Sequence, residues 1–209
     1  MSLHQETLIA IGHLKVIATL SSGRGDLAVS ATASIIEALI HLHQPNSGES
    51  IEQAQHALAA ARSSQLNPAA QEMPQLAAMT HFVDLCCSLQ KNDPLQAIPK
   101  MEAMQATLDR RVSDKKWSED GVCAVPISRE SVMTLQGNGS AIGVVRVDSD
   151  QNTSLLINWL PREDIYALGY TLSGAVVIHR NAMDGQKSEQ YLKEAQRLLE
   201  GTLSLTRTK

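Results

Sequence analysis

One pattern constrains this chain more than any other: an apolar helix-length run, a turn, then an amphipathic run mixing small and large apolar residues. The second members of three such pairs read "SIEQAQHALAAAR" (50–62), "DPLQAIPKMEAMQATL" (93–108) and "DGQKSEQYLKEAQRLL" (184–199). A helix pair of this kind cannot bury its apolar face alone, so the pairs must stack on one another. Only 3% of residues are aromatic, whereas strands favour aromatic and β-branched residues, so the chain suits packed helices better than sheets.

The boundaries follow from local chemistry. A first helix is expected over 4–21, its stripe formed by Leu8, Ile11, Leu14, Ala18 and Leu20. Gly23 and Gly25 stop it, and Asp26 can cap a second helix over 26–43 carrying Leu27, Ala31, Ile35, Ala38, Leu39 and Leu42. Arg24-Gly25-Asp26 reads as turn plus cap. Ser50 and Gln53 have capping-box spacing before a third helix with Ala54, Ala57, Leu58 and Ala61 on one face. A fourth helix is expected over 75–90, burying Leu76, Met79, Val83 and one of Cys86 and Cys87. Asp93 followed by Pro94 starts a fifth with Leu95, Ile98, Met101, Met104 or Gln105, and Leu108. Pro99 should kink that helix or delay its regular part to about Ile98.

Residues 113–158 break the pattern. They mix charge, turn residues and one β-like run, Ala141 to Val147, and read as a long insertion, partly disordered, holding one hairpin or an extended segment. Then "WLPREDIYALGYTLSGAVVIH" (159–179) gathers one Trp, two Tyr and three Pro or Gly breakers into one helix-length stretch. Pro161 opens its helix. Ile165, Leu168, Leu172, Ala175 and Val176 form one apolar face, and Tyr166, Tyr170 and Val177 another, so this helix should pack between neighbours. Gly169 and Gly174 each lower helix propensity by about 1 kcal/mol relative to Ala, for which close helix contact compensates. The last helix should bury Ser188, Tyr191, Leu192, Ala195, Leu198 and Leu199, with Glu189 and Lys193 paired outside. The chain thus divides into helical repeats over 1–112, the insertion over 113–158, and a further pair over 159–209.

Several functional classes lack their signatures. The formal net charge is −4 and no long basic run occurs, so direct nucleic-acid binding is not expected. No run of about 18 apolar residues marks a membrane span, and the first residues lack the pattern of a secretory signal. Cys86, Cys87 and Cys123 have no metal-ligand spacing and read as reduced intracellular thiols. His41 and His43, two apart, do not share a helix face. In "GNGSAIG" (137–143) the third Gly falls one residue late for a dinucleotide loop. No nucleophile–base constellation surrounds any histidine. No enzyme, cofactor or metal is therefore expected.

Ala54, Leu58 and Ala61 match the small–large–small core of a tetratricopeptide repeat, and Ser188, Leu192 and Ala195 match it again with Ser in first place. Leu168-Gly169 is similar to the Leu-Gly of the repeat's first helix, although its distance from Ser188 exceeds the 34-residue unit. The expected fold is all-α: stacked antiparallel helix pairs forming part of a tetratricopeptide-like right-handed superhelix.

The last block carries a sharper resemblance. Trp159, Leu160, Pro161, Arg162 and Glu163, then Leu168, Tyr170, Val177, His179, Tyr191, Leu199 and Glu200, resemble a segment of the cohesin loading factor family, the tetratricopeptide subunit of the cohesin loader. Gln53, Ala54, Gln55 and Leu58 resemble an earlier repeat helix of that family, and residues 79–109 occupy the place of its next helical pair. The similarity spans roughly residues 30–200. A long polar insertion before Trp-Leu-Pro is the sort of variation that filamentous-fungal members carry. Members are much longer, so the chain is expected to be a fragment or incomplete copy.

The resemblance implies a nuclear scaffold without enzymatic activity. Its partner would be the large HEAT-repeat loader subunit, whose extended N-terminal segment the superhelix wraps. Cohesin and chromatin would be reached indirectly, for sister-chromatid cohesion. First helices line the concave surface of tetratricopeptide arrays, so Trp159, Tyr166, Tyr170 and His179 are the candidate partner-binding residues. The alternative is an unrelated helical-repeat adaptor, a chaperone or signalling scaffold. Its carboxylate-clamp form needs basic residues along the first helices, which are sparse here.

Overall fold

The structure is a computed structural model and describes residues 3–44, 48–71, 73–111, 117, 120–128, 145–147, 153–180 and 185–206. Helices dominate: α1 (Leu3–Gly23), α2 (Leu27–His43), α3 (Gly48–Gln65), the single turn α4 (Pro68–Gln71), α5 (Pro74–Gln90), α6 (Pro94–Arg111), α7 (Arg162–Arg180) and α8 (Gly185–Thr206). Short turns join α1 to α2 and α5 to α6, so these neighbours run antiparallel. Contacts run pair to pair: α1 on α2, α2 on α3, both α2 and α3 on α5, α5 on α6, and α6 on α7, which pairs with α8. The all-α arrangement of packed helix pairs expected from the sequence is the one found.

Two of the turns share one device. α1 ends with the amides of Gly25 and Asp26 donating to the carbonyls of Ser22 and Ser21 (3.1 and 2.9 Å), with Gly25 at φ +81°. α5 ends with Asn92 and Asp93 donating to Leu89 and Ser88 (both 3.1 Å), with Asn92 at φ +57°. Both are Schellman closures, which need one left-handed residue after the helix and favour Gly or Asn there. The following Asp begins the next helix in each case. Asp93 caps as expected, its Oδ1 accepting from the Gln96 amide at 3.1 Å. Asp26 makes no cap hydrogen bond. Its buried carboxylate instead accepts from the amide and hydroxyl of Ser128 (2.6 and 3.2 Å), tying the strand region to the α1–α2 turn.

Other expectations shift. α3 starts at Gly48, which puts Ser50 inside the first turn and buried rather than at a cap. α6 runs unbroken through Pro99, whose ring sits on an exposed face. Of the α1 stripe only Ile11 is buried. Leu8 and Leu20 stay exposed because α1 packs against α2 alone among the longer helices, and one neighbour covers only one side. Leu39 on α2, Leu95 on α6 and Ala175 on α7 are likewise exposed, as are Leu192 and Leu199 on the outer side of α8.

The region after α6 holds more than a hairpin. Strands β1 (Val122–Ile127), β2 (Val145–Val147) and β3 (Thr153–Asn158) form an antiparallel sheet in the order β1-β3-β2. Val122 pairs with Asn158, Ile127 with Thr153, and Val145 with Leu155. β1 is an edge strand, which accommodates Pro126, and it buries Cys123 and Val125 beneath exposed Ala124. Residues 129–144, including the "GNGSAIG" run and most of the expected Ala141–Val147 strand, lie outside the described residues, as do 113–116 and 148–152.

The core runs along the helix interfaces: Ala31, Ile35 and Ala38 of α2, Ala54, Leu58 and Ala61 of α3, Phe82, Val83 and Leu85 of α5, Met104 of α6, and Ile165 and Val176 of α7. Alanines let α2 and α3 approach closely. One polar junction crosses three helices. Asp84 of α5 pairs with Arg62 of α3 and with Lys100 of α6 (2.8 Å), and Lys100 also donates to the Ser88 hydroxyl (2.7 Å).

Candidate functional site, a tyrosine-lined cavity between α6, α7 and α8

α7 carries the two glycines that the sequence singled out, and both sit at close helix contacts. A Cβ on Gly169 would lie 2.7 Å from Leu108 Cδ1 of α6 and 3.6 Å from the Phe82 ring of α5. A Cβ on Gly174 would lie 3.3 Å from the Leu192 side chain of α8. The helices are drawn together at these points, and a cavity of about 220 Å³ opens beside them. Gln105, Leu108, Asp109, Tyr166, Gly169, Tyr170, Ser173 and Tyr191 line it.

The chain has three tyrosines, and all three reach this cavity. Tyr166 is held hard. Its hydroxyl donates to the Leu108 carbonyl at 2.9 Å, and its ring stacks on buried Trp117 at 6.2 Å between centroids. Burial pushes its phenol upward, Arg162 works against that and Asp109 adds to it, so the group is a neutral donor at ordinary pH. Tyr170 and Tyr191 face each other across the α7–α8 pair, centroids 6.2 Å apart and tilted by 33°. Gln105 Nε2 donates to the Ser173 hydroxyl (2.9 Å) and reaches the Tyr191 hydroxyl (3.4 Å). Ser173 donates to the Gly169 carbonyl at 2.8 Å. The wall is therefore rigid and amphipathic: ring faces, fixed hydroxyls, one amide and one carboxylate. It holds aromatic area at little conformational cost, a composition suited to gripping a peptide.

The four candidate residues from the sequence separate. Tyr166 and Tyr170 are brought together in the cavity. Trp159 is half-buried beside the sheet, its amide donating to the Gly121 carbonyl at 2.7 Å, its ring near Thr32, Leu76, Cys123, Val125 and Ile157. Its indole Nε1 is buried with no hydrogen-bond partner among the described residues. His179 lies near the end of α7, and its side chain is outside the described residues. Gln105, Asp109 and Ser173 were not anticipated as site residues. Their only sequence signal is that each is polar on a helix otherwise read for its apolar stripe.

Among the described residues no group of three or more His, Cys, Asp or Glu could hold a metal ion, and no helix is long and apolar enough to cross a membrane. Burial pushes the thiols of Cys87 and Cys123 up to about 11, so both stay protonated and weakly reactive.

Packed antiparallel helix pairs sharing one continuous interface, with an aromatic cavity where two pairs meet, define a helical-repeat protein. A family model described as cohesin loading factor matches residues 1–208. The chain belongs to the cohesin loading factor family, and its role lies in cohesin loading, in association with the loading machinery. No curated protein and no solved structure matches it.

Proposed function

We propose that this chain is a scaffold, without enzymatic activity, that binds the extended N-terminal segment of the large HEAT-repeat loader subunit in the nucleus. Cohesin and chromatin are engaged through that subunit. The helix pairs then form one stretch of a tetratricopeptide-like superhelix. The observation that carries this reading is the convergence of all three tyrosines on one open cavity between successive helix pairs. An extended segment, disordered when free, would insert side chains there as it crosses the pairs.

The test is capture of the large loader subunit from nuclear extract by the chain and by its Tyr170→Ala/Tyr191→Ala variant. Tyr166 is left intact because it is bonded to Leu108 and stacked on Trp117, so its loss would disturb the fold. Capture by the parent chain and its loss in a variant of unchanged circular dichroism supports the reading. Equal capture by both refutes the cavity as the binding place.

A further inference from the structure

We infer that the tyrosine cavity is a receptor for a single arginine side chain of the bound segment. The inference rests on the peptide-binding reading above and names the chemistry of the residue that fills the site.

Size comes first. At about 220 Å³ the cavity is smaller than the several hundred Å³ typical of small-molecule sites and takes one long side chain. Charge comes second. Asp109 is the one charged residue in the lining, and no basic residue lines it. Asp109 has no ion-pair partner among the described residues. The cations nearby are otherwise placed. Arg197 of α8 is gripped by both carboxylate oxygens of Glu194 (2.6 and 2.9 Å), and Arg162 lies at the start of α7. Neither lines the cavity.

The rings of Tyr170 and Tyr191, centroids 6.2 Å apart and tilted by 33°, both line the cavity, and an aromatic face in its wall can take a flat cation. A guanidinium stacks on such rings and presents five donors. The acceptors it needs are there: the Asp109 carboxylate, the Gln105 carbonyl oxygen, and the phenol oxygens of Tyr170 and Tyr191. Gln105 uses its Nε2 on Ser173 and Tyr191, which leaves its Oε1 as the end to face a donor. A lysine ammonium would pair with Asp109 but could not stack or fork, and a carboxylate or phosphate would meet Asp109 unfavourably.

The experiment uses the whole chain with ring-labelled tyrosine. All three tyrosines are in the site, so every labelled signal reports on it. N-acetyl-L-arginine amide is titrated in, with the N-acetyl amides of citrulline and lysine as comparison probes. The expected result is a saturable shift of the Tyr170 and Tyr191 ring signals by the arginine probe, with a Kd on the order of a few mM. The uncharged citrulline probe should bind at least about tenfold more weakly, since it keeps the shape and loses the charge. Asp109→Asn should weaken the arginine probe by about fivefold or more, with unchanged circular dichroism. No saturable shift, an equal response to citrulline or lysine, or an Asp109→Asn variant that binds as well as the parent would overturn the assignment. Loader capture by the Tyr170→Ala/Tyr191→Ala variant is read separately. If capture needs the tyrosines but the arginine probe fails, the groove stands and the arginine assignment falls. Arginine binding with tyrosine-independent capture gives the converse.

Discussion

Asp84 is the residue on which three helices depend. Its carboxylate is largely buried between Arg62 and Lys100, cations from α3 and α6. Removing it leaves Lys100, itself mostly covered, without its anion. Asp84→Ala should lower unfolding free energy by about 2 kcal/mol, more than an exposed pair would supply. Urea denaturation checks this, and Glu189→Ala, which breaks the exposed pair to Lys193, should leave the unfolding midpoint where the parent has it. Two histidines add a pH dependence. His41 is held below the ordinary imidazole range by burial, opposed by Glu37 and reinforced by Lys15 across the α1–α2 contact. His81 is lowered by burial and by Arg62, with Asp84 opposing. A histidine with a depressed folded-state pKa binds more protons when unfolded. Its contribution is therefore fully present above about 6.5 and is lost as pH falls toward the folded value. Melting temperature should fall between pH 7.5 and 5.5, and the His41→Gln/His81→Gln variant should show a shallower fall.

At the scale of elements, the two glycines of α7 make opposite predictions. A Cβ on Gly169 would lie 2.7 Å from Leu108 Cδ1, so Leu108 must leave its buried position, and Gly169→Ala should destabilise by about 1 kcal/mol despite the gain in helix propensity. Gly174 meets Leu192, which is 44% exposed and can turn outward, so Gly174→Ala should be neutral or stabilising by up to about 1 kcal/mol. Thermal unfolding of the two variants side by side decides it. These contacts were legible in the sequence because glycine inside an apolar helix implies close approach. The turns were legible too: Gly25 and Asp26, and Asn92 and Asp93, carry the chemistry of helix stop and start in adjacent letters. The sheet was not. "VCAVPI" and "TSLLIN" are six residues each, too short for a period-2 pattern to stand out, and Pro126 argues against a strand unless the strand is known to be an edge. Exposure of Leu8, Leu20, Leu192 and Leu199 was illegible for another reason. Periodicity shows that a helix has an apolar face but not how many neighbours cover it.

At the scale of the whole molecule, the candidate site was half legible. Tyr166 and Tyr170 lie one turn apart in a chain poor in aromatics, and the sequence marks them. Tyr191 looks like one more buried residue on the last helix until α7 and α8 pack and bring it opposite Tyr170. Asp109 and Gln105 come from α6, across the insertion, and no local pattern links them to α7. The cavity is a property of how successive pairs stack, which is where a repeat protein keeps its binding surface. We propose that this junction receives the partner segment. The most direct measurement replaces Tyr170 with a photo-crosslinking phenylalanine analogue and irradiates the complex with the large loader subunit. The expected crosslink maps by mass spectrometry to that subunit's N-terminal segment. The same analogue at exposed Leu8, on α1, should give none. A crosslink at position 8 with none at position 170 would place the partner elsewhere and contradict it.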